Sequence, residues 1–209
     1  MDKFIICGGT PLQGEVSVSG SKNASLPVMC SSILADGPCT YTNVPKLRDI
    51  STMGEVLSTL GMRVERTGDD TIEIDPAGIR SCEAPYDLVK SMRASILVLG
   101  PLLAKFGRAK VSLPGGCAIG VRPIDMHLKA LARMGAEINL SHGYVMARTN
   151  GRLKGATIVF DKTTVGGTEN ILMAAALAEG TTIIQGAAKE PEVVDLAHAL
   201  NTMGARIEG

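Results

Sequence analysis

Tryptophan is absent from this chain, and aromatic residues make up only 3% of its 209 positions. A surface on which nucleic-acid bases stack is therefore not expected. Net charge is missing too. The 21 Lys and Arg balance 21 Asp and Glu, so bulk electrostatics favour neither nucleic acid nor a membrane surface. No apolar run approaches the roughly 18 residues a membrane span needs. The opening MDKFIICGGT carries no signal-peptide cleavage pattern. The five cysteines (Cys7, Cys30, Cys39, Cys82 and Cys117) are odd in number and form no CxxC pair, which favours free thiols in a reducing compartment. His127, His142 and His198 stand apart, without metal-ligand spacing. These absences predict a cytoplasmic protein without a metal site.

What the chain does have is glycine, 24 in all, and a long-period repeat. LSTLGMRVE (57–65), LARMGAEIN (131–139) and LNTMGARIE (200–208) share one pattern, with glycines at Gly61, Gly135 and Gly204. Gly37, Gly107 and Gly180 recur with a similar spacing of about 70 residues. Each unit reads as apolar helix, strand, second helix and hairpin. The apolar helices are expected over 21–35, 91–104 and 168–179. Second helices are expected from Asp49 or Ser51 to about Leu60, from about Pro123 to Met134, and from about Pro191. MRVER pairs with TIEID, and AEINL with YVMAR. Residues 3–19 alternate like a strand.

Three nearly uncharged helices cannot each face water. The repeat therefore predicts an α/β fold of three units, about 21–76, 86–149 and 156–209. The apolar helices are central and the sheets outside, around a pseudo-threefold axis. The third unit runs out at 205–209, where its hairpin partner should begin. The repeat thus predicts a piece of a longer protein.

The chemistry gathers around Leu113-Pro-Gly-Gly-Cys117-Ala-Ile-Gly120-Val-Arg122-Pro123-Ile124-Asp125. Glycines admit close backbone approach to a ligand. Arg122 favours thiolate over thiol if it lies near Cys117. Pro123 suits a first helical position and Asp125 a first turn. A buried, inert cysteine in a turn is the plainer reading. Lys22-Asn23, Arg93 and Lys162-Thr163-Thr164-Val165 fall near the starts of the apolar helices. A cation inside a buried helix start needs an anionic partner, and helix N-termini attract anions. An anion site between units, for a phosphate or diphosphate, competes here with snorkelling surface cations.

Ser21-Lys22-Asn23, the Cys117 loop with Arg122-Pro123, and Arg152-Leu-Lys-Gly155 followed by Asp161-Lys162 resemble the UDP-N-acetylglucosamine 1-carboxyvinyltransferase (enolpyruvyl transferase) family. The resemblance runs from Met1 to Gly209. It implies two inside-out α/β domains of three units each. Residues 1–20 would supply a strand of the second, missing domain, and 21–209 most of the Cys-loop domain. By resemblance, Lys22, Asn23 and Arg122 bind phosphoenolpyruvate. Arg93, Arg122, Pro123, Ile124, Asp125, Met126, Lys162, Thr163, Thr164 and Val165 meet the UDP-sugar. Cys117 is the general acid and the target of the epoxide antibiotic fosfomycin. Thr164 stands where serine is common in the family, and Gly167 where alanine is common.

The implied reaction adds the sugar 3′-hydroxyl to C2 of phosphoenolpyruvate while C3 gains a proton. Phosphate then leaves, in the first committed step of peptidoglycan synthesis. Two anionic substrates side by side need several fixed cations. No metal or organic cofactor is required. Two other readings compete: a non-catalytic UDP-sugar-binding module, and a repeat-built interaction protein without a small-molecule site.

Overall fold

Ser21 opens the first helix: its backbone is extended and its Oγ accepts from the Ala24 N–H at 3.3 Å, forming an N-cap. The computed structural model describes residues 3–89, 92–113 and 124–209. In it, α1 (Lys22–Ser31) continues into a 3-10 turn, Ser32–Leu34. β1 (Cys39–Tyr41), α2 (Arg48–Leu60), β2 (Arg63–Arg66) and β3 (Ile72–Asp75) follow. The second unit has β4 (Glu83–Ala84), the one-turn α3 (Tyr86–Val89), a 3-10 segment Arg93–Val98 and α4 (Leu99–Phe106). It ends with β5 (Arg108–Ser112), α5 (Asp125–Arg133), β6 (Glu137–Ser141) and β7 (Tyr144–Arg148). The third has β8 (Thr157–Val159), α6 (Val165–Ala175), β9 (Ile183–Gln185) and α7 (Pro191–Thr202).

Each unit builds its own sheet, with strand orders β1-β3-β2, β4-β5-β7-β6 and β8-β9. The β2–β3 and β6–β7 hairpins are antiparallel, as the sequence predicts. Between β6 and β7 the turn residues His142 and Gly143 both have positive φ, 50° and 78°, the backbone that twists a two-residue hairpin correctly. Pairs β4–β5 and β8–β9 are parallel.

The apolar helices do pack together. The 93–98 segment touches α1, α4 and α6; α6 also touches α1 and α4, and α4 touches the 3-10 turn that continues α1, while α2 and α7 lie against α1 and α5 lies against α6. Met29, Ile33, Leu99, Leu102, Leu103, Ile171 and Met173 are buried in this interior. Full burial stabilises each such side chain by about 1.5–3 kcal/mol. Gly61 and Gly107 end α2 and α4 in the left-handed region, where a Cβ would strain the backbone.

Several expectations need correction. Residues 3–19 form no strand, because no described strand lies beside them to satisfy their backbone groups. Residues 205–209 join no ladder either; the Asn201 side chain instead bonds the Ile207 N–H and carbonyl. The helix expected over 91–104 is 3-10 for Arg93–Val98 and α only from Leu99. Leu47, not Asp49 or Ser51, is the N-cap of α2; Asp49 lies in the first turn. The helix expected over 168–179 runs Val165–Ala175, because Thr164 caps it three residues earlier. α5 starts at Asp125 with Ile124 as N-cap. Among the described residues no helix is long and apolar enough to cross a membrane.

Candidate functional site

α5 and the chain around β8 face each other across a groove. Asp125, Met126, Lys129 and Arg133 line one wall, and Val159, Asp161 and Lys162 the other, enclosing about 380 Å³. Two segments far apart in sequence, the start of α5 and the approach to α6, thus converge. Asp125 is paired along its own helix with Lys129 at 3.2 Å, an exposed contact that leaves both groups in solvent. Three cations and two carboxylates line the groove, so its balance suits an anion.

The approach to α6 is ordered by its cap. Thr164 is extended, and its Oγ1 accepts from the Gly167 N–H at 3.2 Å. Its carbonyl accepts from both the N–H and the Oγ1 of Thr168. Thr168 Oγ1 in turn accepts from the Ala188 N–H, tying the chain before α7 to α6. Lys162 and Thr163 are exposed, and Val165 is half-buried as the first helical residue.

Arg93 is half-buried at the start of the 3-10 segment. Its neighbour is His127, which α5 buries at 2% exposure. Burial, then the Arg93 charge, push the imidazole down to about 4 against the opposing pull of Asp125. His127 is therefore neutral at physiological pH. Asn170 of α6 contacts its Nδ1 at 3.1 Å. Arg93, the start of α5 and the first half of α6 thus meet through His127 and Asn170. Sequence reading set His127 aside as isolated. Its neighbourhood with Arg93 is a tertiary contact that no local spacing encodes.

Lys22 and Asn23 depart from expectation. Both are exposed, because burial of α1 begins only at Ala24. The anionic partner of Lys22 is Asp49 of α2, at 2.9 Å. Neither lines the groove. Cys117, Arg122 and Pro123 lie outside the described residues. Glu169 is a buried group that sequence reading missed. Burial first, then Glu192 and Glu190, push its carboxyl up to about 7. A larger cavity, about 700 Å³, lies against the sheet β4-β5-β7-β6 and contains none of the candidates. Of its four cations, Arg80, Arg108, Lys110 and Arg148, two are paired, Lys110 with Glu83 at 2.9 Å and Arg148 with Glu137 at 2.7 Å. The smaller groove, where candidates from two segments converge, is the better site.

The family model for EPSP synthase (3-phosphoshikimate 1-carboxyvinyltransferase) matches residues 6–209. Among curated relatives, the UDP-N-acetylglucosamine 1-carboxyvinyltransferase of Trichlorobacter lovleyi is 61% identical over the whole chain, which covers 50% of that protein. That of Cellvibrio japonicus is 60% identical, with the same coverage. The chain spans about half the length of the curated relatives it matches. The solved enolpyruvyl transferase NikO from Streptomyces tendae superposes with a TM-score of 0.82 at 27% identity, over 96% of this chain and 47% of that one. An EPSP synthase from Acinetobacter baumannii shares the fold at a TM-score of 0.66, over 87% of this chain and 42% of that one, at 20% identity. With one family model spanning nearly all of it, and the packed apolar helices with separate sheets that its repeat predicts, the chain belongs to the EPSP synthase family of enolpyruvyl (1-carboxyvinyl) transferases.

Proposed function

We propose that this chain is the Cys-loop part of an enzyme that transfers the enolpyruvyl group of phosphoenolpyruvate to the 3′-hydroxyl of UDP-N-acetylglucosamine. Phosphate is the second product, and the step commits material to peptidoglycan in the cytoplasm. The observation that carries this reading is 61% identity, along the entire chain, to a protein named for that transfer. The convergence of Asp125, Met126 and Lys162 on one groove supports a sugar-nucleotide site there.

In this reading, the 3′-hydroxyl gives its proton to a base in the remainder of the full-length protein, its oxygen bonds to C2 of phosphoenolpyruvate, and Cys117 gives its own proton to C3. The tetrahedral intermediate then loses phosphate from C2 and a proton from C3, restoring the double bond. Lys22, Asn23 and Arg122 hold phosphoenolpyruvate. Lys22 binds its phosphate by leaving or sharing Asp49, an exchange made easy by the exposure of that pair. Arg93, Arg122, Pro123, Ile124, Asp125 and Met126 hold the sugar nucleotide. Lys162, Thr163, Thr164 and Val165 hold its diphosphate end at the start of α6.

Phe4, Ile5, Ile6, Leu12, Val16 and Val18 are all at least 80% exposed. In this reading they pack against the remainder of the full-length protein, which also completes the cleft. Turnover accordingly belongs to the full-length protein. Peptide mapping after fosfomycin treatment of that protein tests the Cys117 role. Alkylation at Cys117, lost in Cys117→Ser, is expected. Alkylation confined to other cysteines would contradict it.

A further inference from the structure

Asn170 is fully buried on α6, next to the buried Thr168 and Glu169, and every polar atom of its side chain has a partner. Oδ1 accepts from the Gly100 N–H at 2.6 Å. Nδ2 donates to the Ile96 carbonyl at 3.0 Å and lies 3.1 Å from His127 Nδ1. Gly100 N–H only donates and Ile96 O only accepts, so the orientation of the amide follows from its partners. The remaining Nδ2 hydrogen then requires an acceptor at His127 Nδ1. His127 is therefore the neutral tautomer with its proton on Nε2. Its Cε1 lies against Gly166, in the first turn of α6. The charged groups acting on His127 are Arg93, on the 3-10 segment, and Asp125, on its own helix.

Asn170 and its three partners sit on three segments. Ile96 and Gly100 belong to the segment that starts at Arg93, His127 follows Asp125 and Met126 on α5, and Asn170 follows Lys162–Val165 on α6. The contact with α4 is close: a Cβ on Gly100 would fall 2.3 Å from Oδ1 and 2.4 Å from the Asn170 carbonyl oxygen. We propose that Asn170 is a positioning residue that fixes, through Ile96, Gly100 and His127, the mutual placement of the segments carrying Arg93, Asp125–Met126 and Lys162–Val165. Its catalytic consequence rests on the enolpyruvyl-transfer reading; its structural role does not.

The test uses the full-length protein. Asn170→Asp keeps the acceptor for Gly100, removes both donors and sets a carboxylate beside His127 Nδ1. KM for UDP-N-acetylglucosamine is expected to rise about 10- to 100-fold, the scale of a small misplacement of binding groups, with a smaller fall in kcat. Histidine 15N spectra are expected to show His127 with one ring proton in the parent and two near neutral pH in the variant. Amide exchange is expected to quicken over 93–98 and 163–168 and to stay unchanged over 39–75. The spectra and exchange need no turnover. An inactive parent therefore refutes the functional reading alone, whereas unchanged kinetics, spectra and exchange in Asn170→Asp overturn the positioning role. If Asn170→Asp does not fold, His127→Phe serves in its place, since it strands one Asn170 donor. It is expected to raise KM about tenfold, and His127→Gln, which restores an acceptor, to recover part of that loss. Equal effects of the two substitutions would overturn the proposal.

Discussion

Thr164 and Gly167, the two positions where the resemblance leads one to expect serine and alanine, are physically coupled. A Cβ on Gly167 would stand 2.4 Å from Thr164 Cγ2 and 3.0 Å from its Oγ1. The methyl of threonine occupies the space that alanine would need. Gly167→Ala alone must either crowd the cap, at about 1–3 kcal/mol, or rotate Thr164 and forfeit the cap bond, at about 0.5–2 kcal/mol. Against this stands a gain of up to about 1 kcal/mol from replacing glycine in a helix. The cheaper route governs, so the net expectation lies between no change and a loss of about 1.5 kcal/mol. Thr164→Ser removes the offending methyl and keeps the hydroxyl. In that background Gly167→Ala should be neutral or stabilising by about 0.5–1 kcal/mol, for the same propensity reason. Urea unfolding of the four proteins of this double-mutant cycle measures the coupling, expected to equal the steric or cap cost at about 0.5–2 kcal/mol. A coupling under about 0.5 kcal/mol would refute the steric argument, whatever the single effects.

Two buried groups give opposing pH dependences. Glu169 is raised to about 7 from 4.5, so the native state holds its proton more tightly than the unfolded chain. Its contribution is complete below about pH 4.5 and is lost as pH rises to about 7, for a total of about 3 kcal/mol. His127 is lowered to about 4 from 6.5, so its contribution is complete above about pH 6.5 and is lost as pH falls to about 4, again about 3 kcal/mol. Between about pH 4.5 and 6.5 the two slopes nearly cancel. Glu169→Gln should therefore lose stability on acidification and His127→Gln should gain it, in denaturant melts at pH 5 and 6.5. Parallel curves for both variants and the parent would refute these assignments. Cysteine reactivity should also split. Cys30 is buried and its thiol is pushed up, first by burial and then by Glu169, while Cys7 is exposed. Timed alkylation with mass spectrometry should label Cys7 well before Cys30; labelling of the native protein at Cys30 first would contradict the packing of α1.

Much of the fold was legible because it repeats. Gly61 and Gly107, read as stops, do end α2 and α4 in left-handed backbone, and His142-Gly143 does form the predicted hairpin turn. The misses have physical causes. The alternation of 3–19 signals a strand, but a strand exists only beside another. The expected start of the third apolar helix at Thr168 falls after Gly166 and Gly167, yet glycine is tolerated in a first turn whose cap is the Thr164 hydroxyl. For the site, the clustering of cations near helix starts was visible, and the structure brings Lys162 to Asp125 and Met126. It leaves Lys22 exposed beside Asp49. His127, Asn170 and Glu169 escaped notice because their roles arise from burial and from contacts between units. No short-range pattern reports those.

The central claim is tested most directly by offering the full-length protein phosphoenolpyruvate with either UDP-N-acetylglucosamine or 3-phosphoshikimate as acceptor. Phosphate release and the coupled product are followed together, the product by mass spectrometry. The account predicts phosphate and an enolpyruvyl-UDP-sugar in equal amounts with the first acceptor, and neither product with the second. Transfer to 3-phosphoshikimate, or no transfer to either acceptor, would contradict it.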